Sequence, residues 1–378
     1  MSRLSRADAS LLGRWWWSVD RPNVAILAII IVIGAVVLMA AGPSASSRMR
    51  IANEFHFPMK QFVFLGPALF VMLSVSFLTP LQTRRLGVIV FAGMLVLMLS
   101  ALLFGGDING AKRWVDFGVI GIQPSEFAKP GFVIAAAWMI AEGARDPKFP
   151  GGAMAMAFYA IFATLLLLQP DYGQWALMTG VWAMMFFIAG WSWLWIVVLG
   201  IVGVGALIAG YQFSDHVASR IDSFLDPASG ETFQVDRALE TIANGGFIGR
   251  GDAPSVKGHL PDAHTDFIFA VAAEEFGFIL GLTIIVLFAV FVTRTLFLAS
   301  AQRSVFIQTS VAGLAATIGF QAMINVGVSL RALPAKGMTL PFISYGGSSL
   351  LATALTIGFI FSLTRTHSGV WRRKDVMP

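Results

Sequence analysis

Apolar runs of about twenty residues alternate with short polar connections along almost the whole chain, and a helix of that length crosses about 30 Å of hydrocarbon. The runs fall near 24–41, 61–79, 86–104, 127–142, 152–168, 174–189, 192–210, 266–291, 304–324 and 348–364. This pattern predicts an all-α polytopic membrane protein with about ten transmembrane helices. Residues 1–23 are polar and basic around Trp15, Trp16 and Trp17, and the run that follows is too long for a signal-peptide core. It reads as an uncleaved first span with an aromatic interface anchor. One polar stretch is long, about 211–265, between the seventh and eighth spans; within it Thr232 to Ala243 reads as an amphipathic helix stopped at Gly245-Gly246. The expected division is an N-terminal segment (1–23), a transmembrane domain (24–364) and a tail (365–378).

Composition narrows the class. Of 378 residues 57% are hydrophobic and 12% charged, half of the roughly 25% expected for a soluble domain, so an ordinary soluble enzyme is excluded. The absence of cysteine excludes disulfides, zinc–thiolate and iron–sulfur sites, and thiol nucleophiles. A net charge of +5 would suggest nucleic acid in a soluble protein, but in a membrane protein the side on which the charges lie matters first. Placing the N-terminus in the cytoplasm leaves a weak surplus of Lys and Arg inside and most of the acids outside. Both termini are therefore expected in the cytoplasm and the long loop outside the cell membrane, with no nucleic-acid partner.

Four polar clusters border apolar spans on that outer face, where ionisable groups are costly and usually functional. They are Asn109-Gly-Ala-Lys112-Arg113-Trp114 with Gln123-Pro-Ser-Glu126-Phe-Ala-Lys129; Gln169-Pro-Asp171-Tyr-Gly173; His259-Leu-Pro-Asp262-Ala-His264-Thr-Asp266 running on to Glu274-Glu275; and Leu333-Pro-Ala-Lys336 through Pro341-Phe-Ile-Ser344-Tyr345-Gly-Gly-Ser348-Ser349. No P-loop, dinucleotide fingerprint or zinc-protease helix motif is present. His259 and His264, five apart around a proline, are poorly disposed to share a zinc, whereas a divalent ion held by carboxylates and phosphate oxygens stays open. Asp266 stands where polar loop meets apolar span and suits either a general base or a helix cap. Glu274 and Glu275 lie deeper, as partners of a buried cation or as part of the site. Lys112, Arg113, Lys129 and Lys336 either balance the outer acids or bind a pyrophosphate. The 346–349 stretch suits an anion nest or close helix packing.

These segments, AKRW, QPSEFAK, QPDYG, IANGGFIGRG, LPDAHTDFIFAVAAEEFGF and LPAKGMTLPFISYGGSS, stand in the order and spacing of the SEDS family, the RodA/FtsW group of peptidoglycan glycosyltransferases, which the chain resembles over roughly residues 60–365. Lys336 in the last motif and the N-terminal RWWWSVDR are more similar to the division-type branch of alphaproteobacteria than to the elongation-type branch. Gln174, Ser329 and Arg331 depart from the usual family residues.

The resemblance implies polymerisation of lipid II into glycan strands at the outer face of the bacterial cytoplasmic membrane, at the division septum. It implies a class B penicillin-binding protein as transpeptidase partner, divisome activator proteins, and the lipid bilayer as solvent. Asp266 would be the general base. Lys336, Arg113, Lys129, Lys112, Gln123, Ser344 and Tyr345 would bind substrate, with Glu126, Asp262, His264 and Glu275 supporting them. The resemblance makes no cofactor certain and leaves open a divalent cation (Mg or Mn), which would help to neutralise a pyrophosphate leaving group. The alternatives are an elongation-type polymerase, a lipid II flippase, and a scaffold without catalysis.

Overall fold

In hydrocarbon every backbone N–H and C=O must be satisfied within the chain, and a mostly helical fold follows. The computed structural model describes residues 10–106, 111–116, 118, 121–190, 194–213, 218, 222, 233–334 and 337–366. In chain order these form α1 (Leu11–Ser18), α2 (Arg21–Arg48), α3 (His56–Ser76), α4 (Pro80–Phe104), a two-stranded hairpin of β1 (Val115–Asp116) and β2 (Gly121–Ile122), α5 (Pro124–Arg145), α6 (Gly151–Leu168), α7 (Tyr172–Ile188) and α8 (Leu194–Phe213). Then come α9 (Phe233–Gly245), a 3-10 turn (Lys257–His259), α10 (Ile268–Ser300), α11 (Val305–Ser329) and α12 (Gly347–Thr364).

A helix occupies each of the ten predicted apolar stretches, and among the described residues 7 of these helices are long and apolar enough to cross a membrane: α2, α3, α4, α6, α10, α11 and α12. Of the others, α5 carries Glu126, Lys129, Glu142 and Arg145, and α7 has 17 residues. Helix ends lie where capping chemistry places them rather than where hydropathy falls. Asp20 accepts from Asn23 N (3.1 Å) and starts α2 three residues early, and Thr79 and Gln82 form a capping box ahead of α4.

Trp15 is 8% exposed on the short helix α1 and donates to Ser76 Oγ (2.8 Å), so it is a packing residue inside the bundle rather than part of an interface anchor.

The core lies around α5, α11 and α12. The most apolar stretches of α11 and α12 are 72% and 83% buried within the protein, against 22–33% for α2, α3, α4, α6 and α10. The inner helices are therefore the ones that hold polar groups away from lipid. Close approach uses a missing side chain: a Cβ at Gly131 on α5 would lie 2.8 Å from Phe91 N on α4. At one end of the bundle Arg294 forms a bidentate pair with Asp20 (2.7 Å for both bonds), and Thr366 N donates to Ser18 O (2.9 Å), so the two described chain ends lie side by side.

Candidate active site

The opposite end of the bundle gathers the loops α4–α5, α6–α7, α9–α10 and α11–α12. In the α9–α10 loop Asp262 adopts a left-handed φ of 49°, and its carbonyl accepts from Thr265 N (3.1 Å), Asp266 N (3.0 Å) and Phe267 N (3.2 Å). The chain thus curls tightly just before α10. The cap position of that helix is Phe267, with no side-chain cap bond, so the structure does not use Asp266 as the N-cap.

Three residues strap this curl to the α11–α12 loop. Ser344 Oγ donates to Thr265 O (2.6 Å) and accepts from Leu340 N (2.7 Å), while Tyr345 N donates to His264 O (2.9 Å). Asn325, on α11 and 1% exposed, donates through Nδ2 to both Asp266 O (2.8 Å) and Met338 O (2.7 Å). A Cβ on Gly337 would lie 3.2 Å from Asp266 Oδ2, so the carboxylate rests against the backbone of that glycine. Lys336, the preceding residue, lies outside the described residues.

The strap is itself clamped. Gln61 of α3 donates to Ser344 O (3.1 Å) and accepts from Gly346 N (3.3 Å). The His264 ring lies 4.1 Å from that of Phe57 and 5.7 Å from that of Tyr345. Burial lowers the pKa of His264, with the Asp262 carboxylate pulling less strongly the other way, so the ring is biased toward its neutral form.

Lys129 sits deeper. It is 2% exposed, 2.9 Å from Glu126 and 3.0 Å from Gln321 Oε1. Glu126 in turn accepts from Gln174 Nε2 (2.5 Å). The expectation that Lys129 reaches a ligand's phosphates therefore meets a buried, already paired ammonium, which in this structure is a strut. From it Gln321 Nε2 reaches Thr339 O (2.9 Å), and the Thr339 and Ser349 hydroxyls share a bond of 2.5 Å. Gln321 and Asn325, one helical turn apart, thus join the buried ion pair and the Asp266 curl to the same loop.

Arg113 and Gln123 form an adjoining group. Arg113 donates to Gln169 O (2.8 Å) and Pro170 O (2.5 Å) and lies 3.8 Å from Asp171. Gln123 N donates to Ser348 Oγ (3.3 Å), and its side chain lies 3.5 Å from Asp171 Oδ2. Lys112 is exposed. Glu275 stands apart, bonded to Arg250 (2.9 Å) and Lys257 (2.6 Å), while Glu274 accepts from the backbone N–H groups of Val256 (2.6 Å) and Lys257 (3.1 Å). Those two acids organise the start of the α9–α10 connection. Among the described residues no three His, Asp or Glu side chains gather closely enough to hold a metal ion.

Gln61, Gln174, Gln321, Asn325 and Thr339 do not figure among the sequence-predicted site residues. The available signal was the pair of amides at 321 and 325 in an otherwise apolar span, because such groups are seldom placed there without a partner.

Fold and site define a class: a polytopic helical membrane protein that presents a carboxylate, fixed by main-chain and amide bonds, at one end of its bundle. Comparison with known proteins narrows it. The chain belongs to the FtsW/RodA/SpoVE family, described as "Cell cycle protein", whose profile matches residues 21–369. It is 41% identical over 368 residues to "Probable peptidoglycan glycosyltransferase FtsW" of Caulobacter vibrioides, covering 97% of this chain and 94% of that one. It is 30% identical over 358 residues to "Stage V sporulation protein E" of Bacillus subtilis, covering 92% and 97%. Among solved structures it is similar to a chain of a peptidoglycan synthase complex that coordinates polymerization and crosslinking (TM-score 0.76, 29% identity, 92% and 98% covered). It is also similar to the rod shape determining protein RodA of Thermus thermophilus (TM-score 0.70, 28% identity, 92% and 97% covered).

Proposed function

We propose that this protein is a peptidoglycan glycosyltransferase that polymerises lipid II, acting in septal wall synthesis. Family membership and the glycosyltransferase names of its relatives support the reaction, and the FtsW name of the 41% identical relative supports the division role. On this reading all ten long helices cross the cytoplasmic membrane, both termini are cytoplasmic, and the 211–265 loop and the Asp266 end face outward. The adjacency of Ser18 and Thr366 at the other end is consistent with that topology.

The chemistry then follows from the acceptor. Asp266 takes the proton of the acceptor sugar's 4-hydroxyl as that oxygen attacks the donor's anomeric carbon. The new C–O bond forms on the face opposite the breaking one, and the bonding electron pair leaves on the undecaprenyl pyrophosphate, inverting the anomeric centre. Pyrophosphate leaves as a stable anion, so the second carboxylic acid required by glycosidases is unnecessary. Lys336, Lys112 and Arg113 are the cations proposed to face the leaving group.

One observation carries the assignment of the base: Asp266 is held at its carbonyl by Asn325 and packed at its carboxylate against Gly337, so its position is set by covalently distant elements rather than by a flexible loop. A class B penicillin-binding protein is the proposed partner, in keeping with the likeness to the synthase complex. The test is to incubate the purified protein, alone and with that partner, with purified lipid II and resolve the glycan strands on a gel. Product absent under both conditions would refute the activity.

A further inference from the structure

The motif Gly245-Gly-Phe-Ile-Gly249 closes α9 and plugs a break in α10. At Gly277 that helix leaves helical geometry (φ 81°, ψ 178°), which frees backbone groups, and the turn supplies partners for them. Phe278 N donates to Gly246 O (2.8 Å), Ile279 N to Phe247 O (3.3 Å), and Arg250 N to Glu274 O (2.9 Å). Side chains are excluded on both strands of this contact: a Cβ on Gly245 would collide with Ala273 O, one on Gly249 with Glu275 O, and one on Gly277 with Phe247 O.

With its backbone satisfied, the turn presents its two large side chains outward. Phe247 is 76% exposed and Ile248 81%, beside Phe278 and Ile279, each 56% exposed. The Phe247 and Phe278 rings meet edge to face at 6.1 Å. Such a patch is costly in water. Immediately before it in α10 comes the charged belt of Glu275 with Arg250 and Lys257.

Depth along α10 says which solvent meets the patch. Arg294, paired with Asp20, marks the charged end of this helix at the inner face. Residue 278 lies about 24 Å back along the axis at 1.5 Å per residue, inside a hydrocarbon layer about 30 Å thick. The belt at 274–275 falls at the layer's edge, so the charge-to-apolar step in the protein coincides with the step in the bilayer.

We propose that the Gly246–Gly249 turn dips into the outer-leaflet hydrocarbon with Phe247 and Ile248 against lipid chains, docking the outer loop that carries Asp266 onto the bilayer. This rests on α10 spanning the membrane and not on the reaction assigned above. The turn thereby fixes the loop's height relative to any substrate presented at the membrane surface.

The chain contains no cysteine, so single-cysteine spin labelling needs no background removal. Ile248→Cys, Val286→Cys on the exposed side of mid-α10 and Asp252→Cys on the polar part of the loop are each labelled in the full-length protein reconstituted in phosphatidylglycerol–phosphatidylethanolamine vesicles. Collision with oxygen, which partitions into hydrocarbon, is compared with collision with a neutral nickel chelate, which does not. The proposal predicts that Ile248→Cys favours oxygen as Val286→Cys does, and that Phe247→Cys repeats the result. A nickel-accessible Ile248→Cys matching Asp252→Cys overturns it, as does protection from both relaxants, which would indicate a second copy of the chain over the turn. Nickel access at Val286→Cys would instead refute the spanning reading of α10.

Discussion

The Asn325 side-chain amide donates to the main-chain carbonyl of Asp266 at 2.8 Å, and its second hydrogen goes to Met338 O. The residues joined are 59 positions apart. A single amide therefore sets the distance between the proposed base and the loop that follows α11. Asn325→Leu keeps the volume and removes both donors. The expected result is a fall in polymerisation kcat of about ten- to a hundredfold with little change in KM, since a misplaced group costs rate more than binding. Steady-state assays on lipid II read this split, and unchanged kcat in a folded variant would contradict the positioning role.

The Glu126–Lys129 pair is buried and hydrogen-bonded on both sides. Lys129→Met alone strands a carboxylate in the core and is expected to cost about 3–5 kcal/mol of stability. Adding Glu126→Gln removes the stranded charge and should recover part of the loss. Unfolding by titrated denaturing detergent measures both variants, and equal stability of Lys129→Met and the double variant would show that the stranded charge is not the cause.

His264 supplies a pH dependence whose sign is fixed. Burial lowers its folded-state pKa below the ordinary value, so the unfolded chain binds the proton more readily. Stability is therefore complete above the unfolded value of about 6.5 and is lost as pH falls below it toward the folded pKa. His264→Phe, which keeps the ring between Phe57 and Tyr345, should flatten the unfolding midpoint below pH 6.5. A wild-type midpoint unchanged from pH 7.5 to 5.5 would refute the effect.

Gly277 needs both its positive φ and its missing Cβ. Gly277→Ala is expected to loosen the 246–249 turn at a cost above about 1 kcal/mol, while Gly93→Ala on α4, where a Cβ meets nothing within 4 Å, should be neutral or slightly stabilising. Tryptic cleavage after Arg250 in reconstituted protein should accelerate only in the first variant. Equal rates would refute the plug.

The helical stretches were legible because lipid imposes one rule, about twenty apolar residues per crossing, on every span. The Thr232–Ala243 helix was legible from its amphipathic pattern and glycine stop, and it forms as Phe233–Gly245. Helix ends were less so, because α2 begins at a cap and α10 runs through a kink that hydropathy does not register. Within the site, sequence singled out charges, since charge near an apolar span is conspicuous. It could not say that Lys129 is spent on Glu126, nor that Gln321 and Asn325 carry the linkage, because pairing depends on which helices touch. Glu274 and Glu275 show the same limit: their depth was evident, but their partners come from a turn about twenty residues earlier.

The role proposed for Asp266 is to take the acceptor's proton. Asp266→Asn preserves shape and loses the base, and it is compared with wild type, each purified with the transpeptidase partner, on lipid II whose glycan strands are resolved by gel. With Asp266 as the base, the variant is expected to fold with an unchanged unfolding midpoint and to form product at a rate lower by about a hundredfold or more. Glycan strands made at the wild-type rate by Asp266→Asn would contradict it.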